Sequence, residues 1–189
     1  MRVESQHVAI VAKKHDRSQI AILALHAGAI EPMTGEIATA IAGCRHRLYC
    51  FVGRSPVDNL RLHVTSTQFD EPKLRSILRG AKTALAIHGS ADYARAVTLV
   101  GGTNGRLAER IGLALDRAGF SIAEAPQHLS ARSPDNLVNR VPFGGVQLEP
   151  TRRLRDELGH QELFHHQPTF ERYAMAIGQV LDGELPLLA

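Results

Sequence analysis

The feature that most constrains this chain is a set of short, largely apolar runs, each ended at once by a single ionisable residue. AILAL (21–25) runs into His26, ALAI (84–87) into His88, and GVQL (145–148) into Glu149. Apolar runs of about 4–8 residues fit strands covered on both faces, as in sheets with helices packed above and below. If such strands run parallel, their carboxyl ends share one edge, and that edge is where α/β sheets collect ligands. Two imidazoles and a carboxylate would then meet there.

The remaining periodicity fills in the same architecture. Strands are expected over His7–Ala12, Ile20–Leu25, Arg47–Val52, Leu60–Thr65, Thr83–Ile87, Ala96–Val100, Phe120–Ala123 and Val146–Leu148. A helix capped by Thr34, with Glu36 in its first turn, should close at Gly43. Asp70 is the expected cap of a second, with Pro72 in its first turn and an end near Gly80. Leu107, Ile111, Leu115 and Ala118 recur at helical spacing within Asn104–Ala118, Leu154 and Leu158 do so after Glu149, and Thr169–Leu181 forms the last helix. No Pro, Gly or Ser run is long enough for a linker, and there is no internal repeat. The expectation is one α/β domain over residues 1–189, three layers around a mixed, mostly parallel sheet.

Composition removes several function classes. With 44% hydrophobic and 22% charged residues the chain is neither disordered nor a disulfide scaffold, and Cys44 and Cys50 are read as reduced thiols rather than a zinc pair. The longest nearly apolar stretch, Ile20 to Ile30, is far short of the ~20 residues that cross a bilayer, so no membrane partner is expected. The charged start MRVESQHVAIVAKKH has no secretory pattern, which places the protein in the cytoplasm or a host cell. A net charge of +3 and the low aromatic content speak against nucleic acid and mildly favour an anionic partner.

The residues at the strand ends permit two readings. Two His and one Glu form the ligand set of many catalytic zinc sites, with Glu31 able to fold back through the Gly28 turn beside His26 and Glu149 placed as a base. Equally, a strand-end His can bond a loop carbonyl, Glu31 can cap a helix, and Glu149 can start one. Other features also carry paired readings. His63 and Thr65–Thr67 line the site or form a strand-end network; Gly101–Gly105 holds an anion or makes a tight turn. Arg152, Arg153 and Arg155 attract a polyanion or form a solvated helix face, and His160, His165 and His166 bind metal adventitiously or sit on the surface.

ILALHAGAIEPMTGEIATAIAG (22–43), LHVTSTQFDEP (62–72), AIHGS (86–90), NLVNR (136–140) and GVQLEPTRRLR (145–155) resemble, in order, the signatures of the poly-γ-glutamate hydrolase family. Its members are phage and bacterial zinc peptidases with a carboxypeptidase-like α/β fold. The resemblance implies Zn²⁺ held by His26, Glu31 and His88, with Glu149 as general base. It makes Arg140 a catalytic and substrate-binding residue that receives a carboxylate or the oxyanion, since a planar guanidinium matches carboxylates bidentately. Asn136 and Asn139 enter the same pocket by motif position. The chain has LHAG where PHGG is more usual, and HGS where HGC is usual, which bears on the pocket's shape rather than the metal. The implied function is hydrolysis of γ-glutamyl amides in an anionic polymer or peptide. Two alternatives are a zinc amidase on another γ-glutamyl peptide and a phage-related, nucleic-acid-associated binding protein without catalysis.

Overall fold

Ile20–Gly28 forms the interior strand β2, and every residue from Ile20 to Ala27 is buried, as a run without polar alternation requires. The computed structural model describes residues 5–160, 163 and 169–184. In chain order the remaining elements are β1 (Val8–Lys13), α1 (Thr34–Ala42), β3 (Arg47–Gly53), α2 (Pro72–Leu78) and β4 (Thr83–Ile87). They continue with β5 (Thr98–Gly102), α3 (Gly105–Arg117), β6 (Ile122–Glu124), β7 (Gly145–Pro150), α4 (Arg152–Gly159) and α5 (Phe170–Asp182). The seven strands make one sheet ordered β1-β3-β2-β4-β7-β5-β6. β3, β2, β4 and β7 run parallel, while β1 is antiparallel to β3 and β5 to β7. The fold is the expected mixed, mostly parallel α/β sheet, and the strands ending in His26, His88 and Glu149 are neighbours within its parallel part.

Alternation along the strands sends side chains into two cores. Ile20, Ile22 and Ala24 of β2, with Leu85 and Ile87 of β4, pack under α1, α3, α4 and α5. Ala21, Leu23 and Leu25, with Ala84 and Ala86, pack on the opposite face under α2 and the segment Leu137–Val141. Each Ile or Leu buried this fully contributes roughly 1.5–3 kcal/mol. None of the described helices is long and apolar enough to cross a membrane.

Several local expectations change. Leu60–Thr65 is not a strand: Asn59–Leu62 is a short 3₁₀ turn with Leu60 exposed, and the chain beyond it is irregular. Glu71 rather than Asp70 caps α2, accepting from the Leu74 N–H. Thr34 is the first helical residue of α1 instead of its cap, and its hydroxyl donates to the Glu31 carbonyl. The glycine-rich stretch is a tight turn: the N–H groups of Thr103 and Asn104 both donate to the Gly145 carbonyl, which leaves neither for an anion.

A buried polar pair on the α5 side sets a pH limit on stability. His46 lies with Nδ1 3.4 Å from Ser18 Oγ and Nε2 3.3 Å from Asp182 Oδ1. Burial holds its imidazole below the usual range even though Asp182 pulls it upward. The unfolded chain therefore takes up a proton near pH ~6.5 that the folded chain resists. Stability is full above that pH and declines as pH falls below it. Urea midpoints at about pH 7.5 and pH 5.5 should show a smaller acid loss for His46→Gln than for wild type; equal losses would assign the decline to other groups.

Candidate active site

β2 carries an irregularity where the site begins. Ala24 and Ala27 of β2 face Cys50 and Val52 of β3, so β2 holds one extra residue between the two pairs. Such a bulge re-aims a side chain out of the regular pleat, and here it frees His26 from the α1 core to point along the carboxyl edge. Gly28 then reverses the chain at φ +69°, where a Cβ would stand 2.6 Å from the Gly53 carbonyl oxygen. This left-handed turn requires glycine. It lets the Glu31 N–H donate to the His26 carbonyl at 2.8 Å and brings the Glu31 carboxylate back beside the imidazole.

His26, Glu31 and His88 converge on one point. His26 Nδ1 is 3.0 Å from Glu31 Oε1 and 3.1 Å from His88 Nδ1, and His88 Nδ1 is 3.9 Å from Glu31 Oε2. The other nitrogen of His26, Nε2, is 2.8 Å from the Val64 carbonyl, an acceptor only, so it must carry the proton and donate. In the tautomer with its proton on Nε2 alone, Nδ1 turns a bare lone pair toward a carboxylate and a second imidazole nitrogen. Three electron-rich atoms packed this closely call for a cation among them. Ligand atoms arranged tetrahedrally around zinc at ~2.0–2.1 Å stand about 3.3 Å apart, and the observed separations bracket that value. The residues fit a zinc ion.

Hydrogen bonds from the neighbouring loops hold these groups in turn. Glu31 Oε2 accepts from the Gly89 N–H at 2.8 Å, and His88 Nε2 lies 3.3 Å from Ser66 Oγ. Burial tends to raise the Glu31 pKa, but the imidazoles of His26, His63 and His88 gathered around it outweigh burial and hold the carboxyl well below the carboxylate range. Burial pushes His88 down to about 4 against the pull of Glu31, keeping its lone pair available. Orienting partners of this kind fix ligand geometry.

His63 joins the cluster from the irregular segment after β3. Its ring stacks on His26 at a centroid distance of 3.8 Å, and its Nε2 is 3.3 Å from Glu31 Oε1. Ligand atoms of His26, Glu31 and His63 all lie within 4.8 Å of one another. Nothing in the local spacing of His63 tells that the chain brings it across β2 to His26, so its sequence alone does not choose between a lining and a structural role. The hydrogen bond with Glu31 raises its pKa.

Glu149 ends β7 on the face shared by Gln147, two residues earlier. Gln147 Nε2 donates to Glu149 Oε1 at 2.8 Å, and Asn136 Nδ2 donates to Gln147 Oε1 at 3.3 Å. Glu149 Oε2 has no hydrogen-bond partner among the described residues. Burial, together with the nearby negative charge of Glu31, pushes Glu149 up to about 8 against the opposing effects of Gln147 and Arg155. Its carboxyl can therefore exchange a proton near neutral pH. Gln147 was missed by sequence reading, although its position two residues before Glu149 puts both side chains on one face of a strand.

These groups line an open cleft of about 540 Å³ that also takes in Thr65, Ser66, Thr67, Asn136 and His128. Asn139 and Arg140 stand outside its lining. Asn139 accepts from Thr103 Oγ1 and donates to the carbonyls of Ala131 and Ser133. Arg140 is exposed; its Nε and Nη2 donate to the Asp135 carbonyl, and Nη2 also to that of Thr67 on the cleft wall. The arginine cluster beside Glu149 is no free cationic patch: Arg152 pairs with Asp156, Arg153 with Glu157, and Arg155 is buried. His160 follows α4, away from the cleft lining, whereas His165 and His166 lie outside the described residues.

Comparison with known proteins gives this geometry a family. Residues 2–176 match the family described as poly-gamma-glutamate hydrolase. Among curated relatives, protein YmaC of Bacillus subtilis is 31% identical over 175 residues, covering 88% of this chain and 74% of YmaC. The SPbeta prophage-derived protein YoqZ of the same organism is 34% identical over 143 residues, covering 74% of this chain and 52% of YoqZ, so the chain spans about half of that relative's length. Among solved structures, a bacteriophage poly-gamma-glutamate hydrolase superposes with a TM-score of 0.87 at 34% identity, over 97% of this chain and 91% of that one. The zinc-free apo form of YndL superposes with a TM-score of 0.81 over 97% and 93% of the two chains; at 24% identity this likeness speaks to the fold. The chain belongs to the poly-gamma-glutamate hydrolase family, a family of hydrolases.

Proposed function

We propose that the protein is a zinc-dependent hydrolase of γ-glutamyl amide linkages, acting on poly-γ-glutamate or shorter γ-glutamyl peptides. His26, Glu31 and His88 hold the metal and Glu149 is the general base. The observation that carries the reading is the meeting of the two Nδ1 atoms and the Glu31 carboxylate at 3.0–3.9 Å, with a proton-accepting carboxyl beside them on the next parallel strand. Zinc in this position supplies Lewis acidity, polarising the scissile carbonyl and acidifying a water.

The protein groups divide the remaining work. Glu149, oriented by Gln147, takes the proton from the attacking water as its oxygen adds to the carbonyl carbon. It returns that proton to the nitrogen as the C–N bond breaks, giving a carboxylic acid and an amine, and passage of the acid's proton to the amine leaves a carboxylate and an ammonium. Arg140 keeps Nη1 free of partners among the described residues while its other nitrogens anchor it beside Thr67, so it can receive a free α-carboxylate of the substrate. Asn136 acts from the cleft wall, and Asn139 holds the loop that carries both. The pairing of the arginine cluster leaves the non-catalytic, nucleic-acid-associated alternative without its charge patch.

The test is a substrate panel with the metal varied. γ-Linked glutamate oligomers should be cut, α-linked ones of equal length should not, and removal of zinc by a chelator should stop turnover until zinc is returned. Hydrolysis that survives complete metal removal would overturn the mechanism. Cleavage of short cell-wall-type γ-glutamyl peptides in preference to the polymer would move the substrate and leave the chemistry standing.

A further inference from the structure

The Arg155 side chain touches three of the loops on which the site is built. It lies in α4, is only 3% exposed, and its guanidinium makes no ion pair among the described residues. Its three nitrogens donate instead to three carbonyls: Nε to Pro150 at 3.2 Å, Nη1 to Pro32 at 2.6 Å and Nη2 to Ser90 at 3.2 Å. Pro32 follows Glu31, Ser90 follows the Gly89 whose N–H holds Glu31, and Pro150 follows Glu149. Three segments far apart in sequence are thus tied within two residues of Glu31, His88 and Glu149.

We infer that Arg155 is a positioning residue that sets the spacing of Glu31, His88 and Glu149 by clamping the Pro32, Ser90 and Pro150 carbonyls from beneath. The inference rests on the zinc-site reading given above. A planar fork of donors can satisfy three carbonyls in different directions at once, whereas an ammonium is a single point on a flexible stem. Burying an unpaired guanidinium carries a desolvation cost that a helix needing only to pack would not incur. The local sequence is also shaped around it: a Cβ at residue 89 would stand 2.6 Å from Arg155 Cζ and 2.8 Å from Nη2. Gly89 lets the guanidinium lie flat against the loop. The Arg155 charge further draws the Glu149 carboxyl down against burial, so the clamp also acts on the base through space.

The test compares wild type, Arg155→Lys, Gly89→Ala and the double variant in the full chain. Zinc affinity is read by competition with a chromogenic chelator, and amide hydrogen exchange is followed without metal. Loosening groups that orient metal ligands typically weakens metal binding ~10–100-fold. Arg155→Lys and Gly89→Ala should each show a loss in that range, and exchange should quicken together over residues 31–34, 88–92 and 149–151 while α5 is unchanged. In the double variant the losses should fail to add, because both act on the same guanidinium contacts. Zinc affinity within about twofold of wild type in both single variants would overturn the inference, as would faster exchange spread evenly through α5. Should Arg155→Lys fail to fold, Gly89→Ala, which retains the guanidinium, decides alone. Wild type that takes up no zinc would bring down the site reading and this inference with it.

Discussion

Glu149→Gln should keep its metal and lose turnover by ~10²–10⁴-fold, the range a positioned general base contributes. The replacement is close to isosteric, and the Gln147 amide can still donate to its side-chain oxygen, so cleft shape and substrate affinity should change little. What disappears is the proton acceptor. KM should stay near its wild-type value while kcat falls, the pattern of an interaction made in the transition state alone. A second readout comes from stability without metal. Burial and Glu31 push the carboxyl up to about 8 in the folded chain, well above its unfolded value. A raised carboxyl favours folding at low pH, and this contribution is lost as pH rises through that value. Thermal midpoints of wild type and Glu149→Gln should therefore diverge as pH rises from about 4.5 to about 8, with the wild type falling and the amide variant unaffected by this group, and should keep a constant difference above that. Full activity in a zinc-loaded Glu149→Gln protein would remove Glu149 from the role of base.

Much of this arrangement is legible before any coordinates, for one physical reason. A strand buried on both faces leaves no polar position except at its ends, so an ionisable residue that abruptly closes an apolar run marks the sheet edge, and His26, His88 and Glu149 do this. Glu31 is legible too, because Gly28 offers the left-handed turn that a reversal needs. Other features carry no such signal. Apolar runs do not encode strand direction, so nothing in Thr98–Gly102 foretells that β5 runs against β7. The stretch from Leu60 to Thr65 has the alternation of a strand, yet its backbone has no edge to pair with. One of its carbonyls, that of Val64, fixes the His26 tautomer instead. Arg155 shows the limit from the other side: three arginines in four residues read alike, and only the packing of α4 shows that one points inward.

The choice between His88 and His63 as third ligand yields the other large effect. The lone pair of an imidazole nitrogen lies in the ring plane. His26 and His88 meet with planes 69° apart, so their in-plane lone pairs can aim at one ion between the nitrogens. His26 and His63 are stacked with planes only 25° apart, and their lone pairs run side by side rather than toward a common point. The His63 side chain is also 39% exposed, whereas that of His88 is 6% exposed. Structural zinc sites with four ligands bind with roughly 10–16 kcal/mol, so one ligand is worth about 3 kcal/mol, or ~10²–10³-fold in affinity. His88→Ala should weaken zinc binding by that factor and abolish hydrolysis. His63→Ala should cost less than about tenfold in zinc affinity, because it removes a cover over His26 and a hydrogen bond to Glu31. Chelator competition on both variants reads the two values directly. The reverse order, with zinc lost from His63→Ala and kept by His88→Ala, would assign the metal to His26, Glu31 and His63 and leave His88 as the group that hydrogen-bonds Ser66 beneath it.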